Sequence, residues 1–256
     1  MSADDLQASW YPDFSMDAQT RRILRQHILV DQLFEVDVVP LAVKTPSIAD
    51  WPETGAKAAT NIVDDSHRLQ VLADLDRDQV CTCTRCDLCT GRRQTVFGEG
   101  APMAPVMFIG EGPGQREDEQ GRPFVGPAGA MLDKWISAMG FDRPQVYIAN
   151  VVKCRPPNNR APEPGEVQAC SPYLLRQIEI IRPRAIVALG GPATKFLLQT
   201  SEGITRLRGH WASCTLTNPT IDVMPTFHPA YLLRSYTTDN RAKVWSDLQK
   251  VVERIG

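Results

Sequence analysis

The chain has 256 residues, of which 43% are hydrophobic and 23% charged, and this suits one sizeable core with an appendage. No apolar run approaches the roughly 18 residues of a membrane span, and the acidic, polar start MSADDLQASWYPDF excludes a secretory leader. We therefore expect a cytoplasmic protein without membrane contacts, in which thiols stay reduced. Seven cysteines, an odd number, then favour metal binding over disulfides.

The net charge of −2 conceals an asymmetry between two parts of the chain. Residues 1–80 hold 7 Lys/Arg and 14 Asp/Glu, a net of −7, whereas residues 81–256 hold 21 and 16, a net of +5. A basic body with an acidic appendage is typical of proteins with a nucleic-acid partner. An excess of this size is also common among enzymes that bind no nucleic acid, so the charge leaves both classes open.

Residues 1–65 are predicted to form an acidic N-terminal extension outside the main domain. Apolar residues recur with helical spacing over residues 17–34, and Pro40, Pro46 and Pro52 mark a linker behind this helix. The front helix is a candidate to dock on the body, to stay mobile, or to bind a protein partner. A second helix over residues 66–80 opens the main domain, which we expect to span residues 66–256 and to be monomeric.

Short apolar runs alternate with helical patterns in the rest of the chain. The runs have the length of buried strands and lie at residues 106–109, 146–151, 185–189 and 223–227. The helical patterns lie at residues 128–139, 165–181, 192–200 and 241–254. This alternation predicts an α/β fold with a mainly parallel sheet covered on both faces. Ligands of such sheets bind beyond the carboxyl ends of the strands, where GEGPG, Asn150, LGGPA and HPAYLLR lie.

Four cysteines crowd the stretch CTCTRCDLC, residues 81–89. Two overlapping triplets match the local spacing of plant-type and bacterial ferredoxins, but neither has its fourth ligand, and Arg93 stands where the bacterial run needs a cysteine. What remains is a pair of cysteines in each of two distant segments: Cys86 with Cys89, and Cys154 with Cys170. Four thiolates can hold a [4Fe–4S] cluster or a zinc ion, and spacing does not choose between them.

Five motifs resemble those of the family 4 uracil-DNA glycosylases and occur in the family order: CTRCDLCTGRRQTVFGEG, FIGEGPGQREDEQGRPFVGPAG, YIANVVKCRPPNNR, IRPRAIVALG and PTFHPAYLLR. The resemblance covers residues 66–256 and implies a three-layer αβα domain around a four-stranded parallel sheet. It implies a DNA-repair enzyme that flips uracil out of single- or double-stranded DNA and hydrolyses its N-glycosidic bond, leaving an abasic site for base excision repair. It also implies a structural [4Fe–4S] cluster, with zinc as the alternative, on Cys86, Cys89, Cys154 and Cys170. Cys81, Cys83 and Cys214 are then bystanders.

The resemblance further implies which residues recognise the base. Asn150 would read uracil, whose O4 accepts and whose N3–H donates a hydrogen bond, because a side-chain amide complements both groups. Phe124 would stack on the flipped base, a contact that contributes about 1–3 kcal/mol. Gly112 would lie in the pocket loop, and Glu117 and Asn159 would interact with each other near the site.

The resemblance also implies which residues take part in catalysis. Cleavage leaves a uracil anion and an electron-poor sugar, so the enzyme must stabilise charge at O2 and admit water to C1′. His228 is the candidate to donate a hydrogen bond to O2, and Glu111 is the candidate to position the water, directly or through backbone contacts.

The DNA face is expected around HPAYLLR. A residue that fills the gap left by the flipped base would offset the cost of unstacking, and the candidates, among which the sequence does not choose, are Leu232, Leu233 and Arg234. Arg155 and Arg208 are expected to contact phosphates, which would make binding weaken with salt.

One departure from a related branch bears on the product. The X-type glycosylases carry a basic insert ending in a histidine that becomes joined to the sugar, whereas this chain reads APEPGEVQA between Arg160 and Cys170. We therefore expect turnover without a protein–DNA crosslink. The alternative function is a DNA-binding iron–sulfur protein without excision activity. Such a protein would lack one of Asn150, His228 or Phe124, and all three are present.

Overall fold

A computed structural model describes residues 61–256. The predicted front helix and the proline-containing linker lie outside the described residues. Helix α1 (Asn61–Leu75) runs directly into a π-helical turn (Asp76–Val80), so the first helix of the main domain begins before the predicted residue 66. Between residues 61 and 256, no helix is long and apolar enough to cross a membrane.

One mixed sheet forms the centre of the domain. Its six strands are β1 (Glu99–Gly100), β2 (Val106–Gly110), β3 (Tyr147–Asn150), β4 (Ala185–Leu189), β5 (Ala212–Cys214) and β6 (Ile221–Thr226). They follow the order β1-β3-β2-β4-β6-β5. The four central strands are parallel, which confirms the predicted fold class. The two edge strands pair antiparallel and were not predicted, because they are only two and three residues long and form no apolar run.

Helices cover both faces of the sheet. The longer ones are α4 (Pro127–Ala138), α5 (Pro164–Ile181), α6 (Gly191–Leu198) and α9 (Thr238–Ile255). Shorter helices are α2 (Leu88–Gly91), α3 (Gln115–Gln120), α7 (Ile204–Leu207) and α8 (Pro229–Arg234). Two 3₁₀ turns (Arg143–Gln145 and Pro157–Asn159) precede β3 and α5.

The core is divided into two layers by the alternation of side chains along the strands. In β2, Met107 and Ile109 pack with Leu174 of α5 on one face. On the other face, Val106 and Phe108 pack with the residues of α4 and α9. Successive side chains of a strand point to opposite faces, and here both faces are covered, so every residue of β2 is buried. This explains why the strands read as continuous apolar runs.

Candidate active site

A cavity of about 560 Å³ opens beyond the carboxyl ends of the parallel strands. It is the location expected for ligands in a sheet of this kind. Its walls bring together eight of the residues singled out in the sequence: Glu111, Gly112, Glu117, Phe124, Asn150, Asn159, His228 and Arg234.

Asn150 is the last residue of β3 and is buried at the bottom of this cavity. Within the described part of the chain its Oδ1 atom has no hydrogen-bond partner. An unpaired buried acceptor costs about 1–3 kcal/mol, so this atom is suited to a donor brought by a ligand. Gly110 makes room for the amide, because a Cβ at that position would lie 2.5 Å from Oδ1 of Asn150 and 2.6 Å from Cζ of Phe124.

Phe124 lies beside the amide in a strained backbone conformation. Its φ is +51°, in the left-handed region that bulky residues seldom adopt. Glu117 holds the following turn, because its Oε1 accepts hydrogen bonds from the backbone N–H groups of Val125 (2.9 Å) and Gly126 (3.0 Å). Phe124 packs against His228 with 5.6 Å between ring centroids.

Asn159 also lines the cavity, and its Oδ1 accepts a hydrogen bond of 2.8 Å from Nε of Arg155. The hydrogen bonds of Glu117 go to the turn after Phe124. The expected interaction between Glu117 and Asn159 therefore stays a prediction.

His228 has its protonation state set by local contacts. It is the N-cap of α8, and its Nδ1 accepts a hydrogen bond of 3.1 Å from the backbone N–H of Ala230. Burial, helped by the nearby positive charge of Arg234 and opposed by Glu117, lowers the pKa of His228 to about 4. The imidazole is therefore neutral at pH 7 and, since Nδ1 is an acceptor, its proton is on Nε2.

The depressed pKa of His228 predicts a stability loss in mild acid. In the unfolded chain His228 takes up a proton as the pH falls below 6.5. In the folded chain it stays neutral until the pH approaches its lowered pKa of about 4. By linkage this destabilises the fold by about 2 kcal/mol at pH 5 relative to pH 7. In His228→Asn, whose amide can still cap α8, that part of the pH dependence should vanish. Urea unfolding of the parent protein and of His228→Asn at pH 7 and pH 5 gives the loss of unfolding free energy between the two pH values. An equal loss in both proteins would contradict the lowered pKa of His228.

Glu111 follows β2 in the pocket loop. Its carboxyl group is half-buried, and burial raises its pKa above the usual range. The backbone of the loop is bonded to the segment that follows β3, because Val152 N–H donates to the carbonyl of Glu111 at 3.1 Å. A carboxylate with a raised pKa in a cleft is suited to accepting a proton or orienting a water molecule.

The three candidate DNA contacts on α8 differ in exposure. Leu232 is 0% exposed and packs in the core, whereas Leu233 is 43% exposed. Successive residues of a helix point about 100° apart, so both leucines cannot face outward. The burial of Leu232 argues against it as the wedge, whereas Leu233 is at the surface and Arg234 lines the cavity. Which of the three contacts DNA stays a prediction. The exposed aromatic residues Tyr231 and Tyr236 flank this position, and nothing in the sequence distinguished them.

Arg208 is turned away from the surface. Its guanidinium forms an ion pair with the fully buried Asp247 and donates a hydrogen bond of 2.6 Å to the carbonyl of Lys243, which leaves 16% of the side chain exposed. Asp247 also accepts a hydrogen bond of 2.7 Å from the hydroxyl of Thr226. The expected phosphate contact of Arg208 stays a prediction, and its present partners give it a structural role.

A second, smaller cavity is lined by five of the cysteines: Cys83, Cys86, Cys89, Cys154 and Cys170. Two N–H groups point at sulfur atoms there, from the guanidinium of Arg92 to Cys154 and from the backbone of Lys153 to Cys170, each at 3.2 Å. Bonds of this kind support thiolate ligands of metals and clusters.

The four predicted ligands thus share one cavity with Cys83, whereas Cys81 is exposed. Over residues 61–256, no three Cys, His, Asp or Glu side chains are gathered closely enough to hold a metal ion as they stand. The chemistry of the cavity fits a thiolate-bound group, and the choice of ligands stays a prediction.

Comparison with known proteins places this architecture in a family. A sequence model of the uracil DNA glycosylase superfamily matches residues 97–249. The chain is 46% identical over 182 residues to the type-4 uracil-DNA glycosylase of Sulfurisphaera tokodaii, which covers 69% of this chain and 82% of that protein. It is 46% identical over 186 residues to that of Thermotoga maritima, covering 70% of this chain and 92% of that protein. The corresponding protein of Saccharolobus solfataricus is 45% identical over 187 residues, covering 71% and 86%. The chain therefore belongs to the uracil-DNA glycosylase superfamily and, within it, to the type-4 group.

Proposed function

We propose that the protein is a monofunctional uracil-DNA glycosylase of base excision repair, which hydrolyses the N-glycosidic bond of uracil in DNA. The observation that carries this proposal is the buried, unpaired Oδ1 of Asn150 at the bottom of a cavity that also holds Phe124 and a neutral His228. A base inside a duplex cannot reach such a cavity, so the nucleotide must first be flipped out of the stack.

Asn150 reads the flipped base through its amide. Its Oδ1 accepts the N3–H of uracil and its Nδ2 donates to O4. Cytosine presents an amino group and an unprotonated N3 at these positions, so an amide held in the orientation that reads uracil would be left with both polar groups unpaired. Discrimination of this kind is large because the unpaired groups remain buried. The ring of Phe124 stacks on the face of the base.

His228 stabilises the leaving group. As the glycosidic bond breaks, its electron pair leaves with the base, and negative charge spreads over N1 and O2 of uracil. The Nε2–H of neutral His228 donates a hydrogen bond to O2, and a donor placed where charge develops in a dry site contributes strongly to the rate. Glu111 positions the water molecule whose oxygen adds to C1′ and whose proton the carboxylate accepts. The uracil anion then takes up a proton from solvent and Glu111 releases its own, so the products are free uracil and an abasic sugar.

The cysteine cavity would hold a [4Fe–4S] cluster on Cys86, Cys89, Cys154 and Cys170, with a zinc ion as the alternative. Such a group would cross-link α2 and the segment before it to the loop after β3 and to α5. Its role is structural, since hydrolysis of the glycosidic bond transfers no electrons.

Leu233 is proposed to wedge into the space that the flipped base leaves. The Leu233→Ala change should therefore slow excision from double-stranded DNA by roughly tenfold, because unstacking costs a few kcal/mol there. Excision from single-stranded DNA should change little. Single-turnover rates on the two substrates measure this, with Leu69→Ala as the matched control because Leu69 is exposed (57%) on α1. Equal slowing on both substrates would contradict the wedge.

The remaining expectations concern the whole chain. We propose that residues 66–256 carry the activity as a monomer on single- or double-stranded DNA, and that residues 1–65 are available to a protein partner. Gel filtration with light scattering measures whether the protein is a monomer.

Excision is tested by incubating the protein with a uracil-containing oligonucleotide and dividing the sample. One half is treated with hot alkali, which breaks abasic sites, and both halves are run on denaturing gels. Cleavage at the uracil position only after alkali supports a monofunctional glycosylase. Binding without any cleavage would favour the non-catalytic DNA-binding protein, and a slow-migrating protein–DNA band would contradict turnover.

A further inference from the structure

Lys153 is buried, and the chemistry proposed above does not use it. Its side chain is 1% exposed, and a buried ammonium group is costly unless it is paired and hydrogen-bonded. The Nζ atom donates to the backbone carbonyl of Asn150 at 3.0 Å and to Oε1 of Gln177 at 2.6 Å. Asp76 supplies a negative charge nearby.

Gln177 makes a firm anchor for this ammonium group. It is fully buried in α5. Its Nε2 donates hydrogen bonds to the carbonyl of Phe97 at 3.0 Å and to the hydroxyl of Tyr147 at 3.1 Å. The Oε1 acceptor is therefore oriented toward Lys153 by the two bonds on the other side of the same amide.

The main chain of Lys153 reaches the cysteine cavity. Its backbone N–H donates to Sγ of Cys170 at 3.2 Å, and the next residue in the chain is Cys154. One residue thus touches the base-reading residue with its side chain and the thiol cavity with its backbone.

The position of Asn150 matters because its amide must meet a rigid base edge. A misplacement of about 1 Å can cost on the order of 100-fold in rate. Within residues 61–256 the Oδ1 of Asn150 has no hydrogen-bond partner that could fix it. The hold on this residue comes from its backbone, which pairs with β2 on one side and whose carbonyl accepts from Lys153.

We propose that Lys153 is a positioning residue for uracil recognition, which holds the carbonyl of Asn150 and links the cysteine cavity to the amide that reads the base. This inference rests on the proposed function, because it assigns Lys153 a part in placing Asn150 against uracil. It acts through Asn150 and touches no reacting atom.

The test is a double-mutant cycle of Lys153→Met and Asn150→Ala read by DNA binding. Methionine keeps the length and apolar stem of lysine and removes its donors. The probes are two oligonucleotides, one with 2′-fluoro-deoxyuridine, whose glycosidic bond resists cleavage, and one with deoxycytidine, which lacks O4 and N3–H, at the same position. Lys195→Met is the matched control, because Lys195 is exposed on α6.

We expect Lys153→Met to weaken binding of the uracil probe by about 10- to 100-fold, the range seen when a residue that orients a metal ligand is removed. Binding of the deoxycytidine probe should be unchanged. In the Asn150→Ala background the same change should have no further effect, since coupled residues are not additive. Iron and zinc contents per chain must match the parent protein.

Two results would overturn the inference: equal weakening on both probes, or the same loss on the uracil probe with and without Asn150. If Lys153→Met does not fold, Gln177→Leu is measured in the same cycle, because it removes the anchor and keeps the ammonium group. For Gln177→Leu the same two results would overturn the inference. Failure of the parent protein to excise uracil would instead contradict the proposed function, which keeps the two failures distinct.

Discussion

Asn150→Ala is expected to lower uracil excision by about 1,000-fold or more, since both hydrogen bonds to the base edge are lost at a buried site. Folding should be little affected, because the Oδ1 atom of Asn150 has no partner to lose within the described chain. Single-turnover excision of a uracil oligonucleotide measures the rate. Metal content and melting temperature serve as controls and should equal those of the parent protein.

Gly110→Ala tests the same geometry from the other side. The added Cβ would meet Oδ1 of Asn150 and the ring of Phe124, so excision should fall while Asn150 itself is kept.

A protein with Asn150→Ala that still excised uracil at the parent rate would show that another group reads the base.

Cys154→Ser is expected to remove the metal proposed for the cysteine cavity and to lower the free energy of unfolding by about 4 kcal/mol or more, the range for loss of a structural metal. Cys154 is buried, and its sulfur accepts a hydrogen bond from Arg92. The serine variant would leave that guanidinium without a thiolate. Iron and zinc analysis, visible absorption and thermal unfolding measure the change, and the iron content of the parent decides between a cluster and zinc.

Cys83→Ser is the matched control, because Cys83 lines the same cavity but lies outside the predicted ligand set. It should keep the metal and nearly all of the stability. Loss of metal in Cys83→Ser with retention in Cys154→Ser would show that the ligands are chosen differently.

Much of the fold was predictable because the strands are buried on both faces. The four central strands are continuous apolar runs in the sequence, and their carboxyl ends predict the position of the cavity. The edge strand β1 was missed because its two residues, Glu99 and Gly100, are only partly buried. Short edge strands are formed by pairing with a neighbour, and local sequence carries little trace of that.

The sequence by itself predicted the fold class, because strand length and the alternation of elements depend on residue type and spacing. The resemblance of its motifs to a known family supplied the candidate pocket residues and metal ligands. The tertiary structure decided which side chains are free to act. It buried Leu232 beside the exposed Leu233, and it paired Arg208 with Asp247, 39 positions away. It also placed the proton of His228 on Nε2 and joined Lys153 to Asn150. Burial and partner choice arise from contacts between segments that are distant in the chain, so a residue's type and its neighbours in sequence do not reveal them.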